Sequence, residues 1–134
     1  MATGLVGPAG VTSISPPSKC TQSKIGKIEV ADGSTGFAAF GLPKDAVVSG
    51  IYIISTGANA TQTVQAGFSA SGDELLLAVG CNGAMYAVAG AYVGASFMTK
   101  LTADKTVYLK ASAELTNPVY VKMEYYIPQQ GLPY

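Results

Sequence analysis

The stretch Pro118-Val-Tyr-Val-Lys-Met-Glu-Tyr-Tyr-Ile127 decides the fold class of this 134-residue chain. Its residues alternate with period two, which is the pattern of a β-strand with one buried face. The inward set is Val119, Val121, Met123, Tyr125 and Ile127, and the outward set is Tyr120, Lys122, Glu124 and Tyr126. The stretch therefore predicts a long strand that closes an all-β domain.

Shorter apolar runs, separated by turn residues, continue this pattern upstream. Residues 106–111 alternate with Val107, Leu109 and Ala111 inward. Val47–Ser55 is β-branched and apolar on both faces, as expected of a central strand. Further strands are predicted at 25–30, 36–40, 63–68 and 74–79.

The run between Glu74 and Lys100 carries no charge, and it exceeds the roughly 20 residues that a helix needs to cross a bilayer. Asn82-Gly83 divides the run, and Asn-Gly is a strong signal for a hairpin turn. The second half is rich in β-branched, aromatic and glycine residues, with Tyr86, Val88 and Tyr92 in one phase. We therefore interpret the run as the middle of an all-β domain rather than as a membrane helix.

Short strands at regular spacing predict a sandwich or a barrel. The long closing strand and the unequal connections favour a two-sheet β-sandwich of jelly-roll type, with about eight strands, over an up-and-down barrel. The predicted organisation is an extended N-terminal arm over residues 1–23, the sandwich over 24–127 and a C-terminal tail over 128–134.

The arm is rich in Gly, Pro, Ser and Thr and shows neither helical nor alternating periodicity. Glycine recurs at every third place in GLVGPAG, but the run is too short for a collagen triple helix, so an extended polyproline-like segment is expected. We predict that its apolar side chains fill shallow pockets on a partner protein. These side chains are Leu5, Val6, Val11 and Ile14.

Charge is scarce: 12% of the residues are charged, against roughly 25% in ordinary soluble domains. Eight basic and eight acidic side chains give no net charge, which suits a surface covered by other protein. All the basic residues are lysines. Without arginine, whose guanidinium group binds guanine and phosphate through two hydrogen bonds at once, we expect no sequence-specific nucleic-acid binding.

The sequence offers little for catalysis. With no histidine, it lacks the usual general base and the commonest metal ligand. The adjacent acids Asp73 and Glu74 are interpreted as solvated turn residues rather than as a glycosidase pair. We therefore expect no catalytic, metal or cofactor site and no enzymatic activity.

Two further motifs have plain interpretations. Cys20 and Cys81 form no CxxC pair, so they are interpreted as buried, reduced thiols of a protein made in a cytoplasm. Asn59-Ala-Thr61 matches the glycosylation sequon, but the N-terminus lacks the pattern of a secretory signal. The sequon is therefore interpreted as a chance match.

Tyrosines remain as candidate contacts. Tyr120 and Tyr126 lie on the outward face of the closing strand. A tyrosine buries apolar area while keeping a hydrogen-bonding tip, so this face fits protein–protein contact at least as well as it fits a sugar. The predicted partner-binding residues are thus Tyr120 and Tyr126 together with the apolar residues of the arm.

Three stretches, LPKDAVVSGIYI (42–53), VQAGFSASGDEL (64–75) and VYVKMEY (119–125), resemble strands and turns of the jelly-roll-like decoration, or cement, proteins of tailed bacteriophages. The resemblance covers about residues 24–127. It implies a non-enzymatic virion protein, made in the bacterial cytoplasm, that binds the outer surface of the head and stabilises contacts between major capsid proteins. A dimer or trimer on the capsid is expected, with neither nucleic acid nor membrane as a partner. A receptor- or carbohydrate-binding head domain of a tail fibre is the alternative.

Overall fold

The computed structural model describes residues 21–30, 35–83 and 85–128. Within these ranges the chain forms eight β-strands and a 3₁₀ turn at Gly90–Tyr92. The strands are β1 (Gln22–Ile28), β2 (Phe37–Leu42), β3 (Val47–Ser55), β4 (Thr63–Gly67), β5 (Leu76–Gly80), β6 (Met85–Ala87), β7 (Lys105–Ala111) and β8 (Val119–Tyr126). Residues 1–20 of the predicted arm and 129–134 of the predicted tail lie outside the described residues.

The strands form two four-stranded sheets. The first sheet has the order β1-β8-β3-β6 and the second has the order β2-β7-β4-β5, and every pairing is antiparallel. Among these eight strands, β4 and β5 are the one pair of sequence neighbours that are also hydrogen-bonded neighbours. The other connections pass from one sheet to the other, which is the jelly-roll topology. The structure confirms the predicted all-β sandwich.

The core lies between the two sheets and is formed by alternate residues of each strand. In β8, Val119, Val121, Met123 and Tyr125 are buried while the residues between them are not. β7 buries Val107, Leu109 and Ala111 in the same way. These two strands therefore have the predicted inward faces, because each occupies an interior position in a sheet that packs on the other.

β3 has the predicted bounds, but a bulge changes which of its residues face the core. Val48 pairs with Tyr125 whereas Gly50 pairs with Glu124, so Ser49 is an additional residue in the ladder. As a result, Val48 and Ile51 both face inward and both belong to the core. This shift hides the period-two pattern in the sequence of β3.

The prediction of a hairpin at Asn82-Gly83 is wrong. The turn exists, with Gly83 at a φ of 69°, but β5 belongs to the second sheet and β6 to the first. The chain therefore crosses between sheets at this point instead of folding back on its neighbour. The strand after the turn also ends at Ala87, and Tyr92 lies in the 3₁₀ turn with 50% of its surface exposed. Within the described ranges, no helix has the length and apolar character to cross a bilayer.

Both chain segments that flank the domain attach at the same end of the sandwich. Gln22, at the start of β1, pairs with Tyr125 near the end of β8, while Ile28 pairs with Val119 at the opposite end. β1 begins two residues before the predicted first residue of the domain. The loops β3–β4, β5–β6 and β7–β8 meet at the end away from Gln22, as their mutual hydrogen bonds show.

Candidate protein-binding surface

The outward side chains of the first sheet form two rows across all four strands. In one row, Lys27 of β1 lies opposite Tyr120 of β8, which lies opposite Ile54 of β3, which lies opposite Met85 of β6. Side chains directly opposite one another have Cβ atoms about 5 Å apart. A tyrosine, an isoleucine and a methionine are therefore in contact distance across the middle of the sheet.

The second row has the same character. Ile25 lies opposite Lys122, which lies opposite Tyr52, which lies opposite Ala87. We call the surface made by these two rows the outer face of the first sheet. Met85 and Ile25 are 73% and 57% exposed, and Tyr52, Ile54 and Tyr120 between them are half-buried. Large exposed apolar side chains that are contiguous mark an interaction surface, whereas scattered ones do not.

The outward side chains of the two middle strands of the second sheet are mostly polar. Across β4 and β7 they are Thr63, Gln65, Thr106, Tyr108 and Lys110. Gln65 lies opposite Lys110, a pairing typical of a solvated face. Ile25 and Met85, the exposed large apolar side chains of the described strands, both belong to the first sheet.

Lysines and acids hold the two tyrosine rings of this face in place. The Lys27 ammonium lies 5.6 Å from the ring centre of Tyr120 and 3.4 Å from the Glu29 carboxylate. The Lys122 ammonium lies 5.6 Å from the ring centre of Tyr52 and 3.6 Å from Glu124. Each pair combines a cation–π contact with a surface ion pair. Each tyrosine ring therefore has a lysine ammonium over it, and each lysine has an acid beside it.

Glu124 also accepts a hydrogen bond from the Tyr52 hydroxyl, at 3.2 Å. This bond and the negative charge of Glu124 raise the pKa of Tyr52 above its ordinary value. In the same way, the hydrogen bond and charge of Glu29 raise the pKa of Lys27. Near neutral pH Tyr52 is therefore neutral and Lys27 is charged.

The structure places the predicted contact residues as follows. Tyr120 and Tyr126 are both half-buried and both lie on the outward side of β8, as predicted. Tyr120 is in the apolar row, whereas Tyr126 lies opposite Val47 near the end where the chain leaves the domain. About 20 Å of strand separates the two. Leu5, Val6, Val11 and Ile14 lie outside the described residues.

Sequence reasoning missed the apolar residues that share this face with Tyr120, namely Ile54, Met85, Ile25 and Tyr52. One signal was present in the sequence. β3 is apolar on both faces, and in a two-layer sandwich one face of every strand points away from the core. The outward apolar residues Tyr52 and Ile54 therefore indicated an apolar outer surface. This signal appears only when β3 is placed in a two-layer sandwich, and not when the strand is read alone as a central strand.

At the end of the sandwich away from Gln22, three loops meet at Asn59, a polar residue with no exposed surface. Its side-chain oxygen accepts the backbone N–H groups of Thr116 and Asn117, at 2.8 and 2.9 Å. Its backbone N–H donates to the side-chain oxygen of Asn82, at 3.0 Å, and its side-chain nitrogen donates to the Cys81 carbonyl, at 3.3 Å. We call these five residues the three-loop junction. Because the Asn59 amide is buried and bonded, it cannot carry a glycan in the folded domain, and the role of Asn59 here is structural.

Cys81 packs into the same junction and is fully buried. Its thiol donates to the carbonyl of Gln62, at 3.4 Å. Burial raises the pKa of the Cys81 thiol above its ordinary value, so the sulfur stays protonated and is a poor nucleophile. Cys81 is thus a buried, unpaired thiol, as predicted, while Cys20 lies outside the described residues.

The adjacent acids differ from each other. Asp73 is exposed, as predicted, but the interpretation of Glu74 as a solvated residue is wrong. Glu74 is half-buried and accepts the backbone N–H of Phe68, at 2.9 Å, so it closes the β4–β5 turn from within. In the described part of the chain, histidine, cysteine and acidic side chains form no group of three or more that is arranged to hold a metal ion.

The sequence matches no protein-family model and no curated protein. Solved structures share the fold. A chain in "Capsid of Ralstonia phage GP4" is 14% identical, with a TM-score of 0.65 over 91% of this chain and 94% of that chain. A chain in "Cyanophage Pam1 capsid asymmetric unit" is 19% identical, with a TM-score of 0.54 over 92% and 99%.

A third similar chain comes from "Acidic stable capsid structure of Helicobacter pylori bacteriophage KHP30". It is 13% identical, with a TM-score of 0.58 over 81% of this chain and 89% of that chain. At such identities the likeness establishes a common fold. Each likeness spans most of both chains, so this jelly-roll sandwich makes up most of a chain in the capsid structures of three different phages.

Proposed function

We propose that this chain is a structural protein of a bacteriophage virion that decorates the outer surface of the head and binds the major capsid protein. The observation that carries the proposal is the likeness, over most of both chains, to chains in three phage capsid structures. The non-enzymatic composition, without histidine or arginine, is consistent with it.

The outer face of the first sheet is the contact surface in this proposal. It combines exposed Ile25 and Met85 with tyrosines whose rings contact lysines, and aromatic and methionine side chains are enriched where proteins meet. On a shell, each contact needs only modest affinity because many copies, and dimeric or trimeric units, bind together.

In the same proposal, the arm strengthens attachment once the domain has docked. Leu5, Val6, Val11 and Ile14 each contribute about 1–2 kcal/mol if buried on a neighbour, and ordering the backbone costs a similar amount per residue. A free arm therefore binds weakly, whereas a tethered arm acts at high effective concentration. Deleting residues 1–18 is expected to leave the sandwich folded but to speed its release from heads on washing.

Binding to purified, emptied heads tests the proposal. The protein is expected to co-sediment with heads at a stoichiometry fixed by the major capsid protein and to remain bound when tails are removed. Intact virions are expected to contain it in numbers typical of a shell component rather than of a tail. If the protein instead ignores heads and competes with phage for adsorption to cells, it is a receptor-binding domain of a tail fibre and the proposal is wrong.

A further inference from the structure

The three asparagines of the chain sit in three different chemical settings, and one of them favours a reaction of the chain with itself. Asn59 is fully buried and precedes Ala60. Asn117 precedes Pro118, whose ring nitrogen carries no hydrogen. Asn82 is exposed and precedes Gly83, which is also exposed. Only Asn82 combines solvent access with a following backbone N–H that no side chain hinders.

We propose that Asn82 is a site of spontaneous deamidation and isoaspartate formation. The backbone nitrogen of Gly83 forms a bond to the side-chain carbonyl carbon of Asn82. The bond from that carbon to the amide nitrogen breaks, and the amide leaves as ammonia with the proton from Gly83. Water then opens the resulting succinimide on one side or the other, which gives aspartate or isoaspartate without any oxidation or reduction.

The backbone at Gly83 is uncrowded. A Cβ built on Gly83 would find its nearest neighbour, the Cα of Ala58, at 3.9 Å. Gly83 has a φ of 69°, and a glycine moves between this region and negative φ at little cost. The Gly83 nitrogen can therefore turn toward the Asn82 side chain without a steric clash at Gly83.

Two hydrogen bonds slow the reaction in the folded domain. The Gly83 N–H donates to the carbonyl of Cys81, at 3.2 Å, and the Asn82 side-chain oxygen accepts the backbone N–H of Asn59, at 3.0 Å. The first bond lies within the turn and the second joins the turn to the β3–β4 loop, and both must break before the ring closes. We therefore expect a lower rate in the native protein than in the unfolded chain, although the reaction still proceeds.

The two products act differently on the three-loop junction. An aspartate at position 82 keeps an oxygen where the Asn59 N–H needs it, and a charged acceptor forms the stronger bond. An isoaspartate routes the main chain through Cβ, which lengthens the turn and moves the acceptor away from Asn59. Because Asn59 also holds Thr116 and Asn117, the isoaspartate form should loosen all three loops. This inference is independent of what the domain binds.

Ageing the purified full chain at mildly alkaline pH and physiological temperature tests the proposal, with the same chain in denaturant as the reference. Peptide mapping should show acid and isoaspartate at position 82, formed more slowly than in denaturant, while Asn59 and Asn117 remain amides. The isoaspartate fraction should melt at a lower temperature than fresh protein, whereas the Asn82→Asp variant should melt close to it.

An Asn82→Gln variant, whose longer side chain closes the ring poorly, should lose the modification in both the native and the denatured samples. The proposed site is wrong if folded Asn82 stays intact after the denatured chain has converted, or if Asn59 and Asn117 convert as fast. The proposed effect on the junction is wrong if the isoaspartate fraction melts like fresh protein.

Discussion

Gly26 of β1 faces Leu109 of β7 across the space between the sheets, and a Cβ added to Gly26 would lie 2.6 Å from Cδ1 of Leu109. The same Cβ would lie 3.0 Å from Cβ of Ala39. Leu109 is fully buried, so its side chain has little room to move aside. The absence of a side chain at Gly26 therefore lets the two sheets approach at this edge of the sandwich.

Replacing Gly26 by alanine should overpack this contact. We expect Gly26→Ala to lower the free energy of unfolding by about 1–3 kcal/mol, measured by urea unfolding. Gly41→Ala is the matched control, because a Cβ there would find its nearest atom at 3.8 Å, and its effect should be small. Equal losses of unfolding free energy in the two variants would show that the two sheets are not tightly packed at Gly26.

Asn59→Ala should be among the most damaging substitutions in the loops. It leaves the part-buried Thr116 and Asn117 N–H groups without their acceptor, and a buried group left unpaired costs about 1–3 kcal/mol. Thr61→Ala is the control, since it destroys the same sequon at an exposed position and should leave the melting temperature unchanged. Similar melting temperatures for both variants would contradict the role given to Asn59.

Polar substitutions on the outer face of the first sheet should reduce head binding without unfolding the domain. Ile54→Thr combined with Met85→Ser removes about 2 kcal/mol of apolar contact, which corresponds to roughly 30-fold weaker binding. Tyr108→Thr, on the outward side of β7, is the control for the opposite face and should bind as the parent does. Heads that retain the double variant but release Tyr108→Thr would reverse the assignment of the docking face.

Alkaline pH should destabilise the domain through Cys81. The folded thiol holds its proton to a higher pH than the thiol of the unfolded chain. Stability is therefore unaffected by this group below its ordinary pKa of 9.0 and falls as the pH rises above that value.

In a Cys81→Ala variant the loss should begin later. Among the described residues, Tyr52, Tyr86 and Lys27 also have raised pKa values. Those of Tyr52 and Tyr86 are raised from the ordinary 10.0 by Glu124 and by burial, respectively, and that of Lys27 is raised from 10.5 by Glu29, so these groups act at higher pH than Cys81 does. Thermal melts across the alkaline range compare the two proteins. If both lose stability from the same pH, the buried thiol has no part in the alkaline sensitivity.

Much of the fold follows from local sequence because jelly-roll strands bury alternate residues. The pattern of β8 identifies Val121 and Met123 as core residues and Tyr120 as a surface residue without any knowledge of its neighbours. Residue type also fixes the bounds of β3, where turn residues flank a β-branched run on both sides.

Local sequence does not show which strands pair with each other. Asn82-Gly83 has the residues of a hairpin turn, yet β6 finds its partner in β3 rather than in β5, because burying the apolar faces of both sheets outweighs one local ladder. The candidate surface is hidden for the same reason. Ile54, Met85 and Tyr120 become neighbours only through two long-range pairings. Of these three residues, sequence reasoning therefore identified only Tyr120 as a contact residue.

The place of β8 in the first sheet has a consequence for synthesis on the ribosome. β8 is the last of the eight described strands to be made, yet it lies between β1 and β3 and pairs with both. Until β8 emerges, β1 has no hydrogen-bonded neighbour in its sheet, and β3 has one unpaired edge. The first sheet therefore cannot form while the earlier strands are being made. Topologies with such distant pairings fold slowly and expose unpaired edges in the meantime. A chain cut short before Val119 therefore lacks the strand that joins β1 to β3 and cannot complete the first sheet.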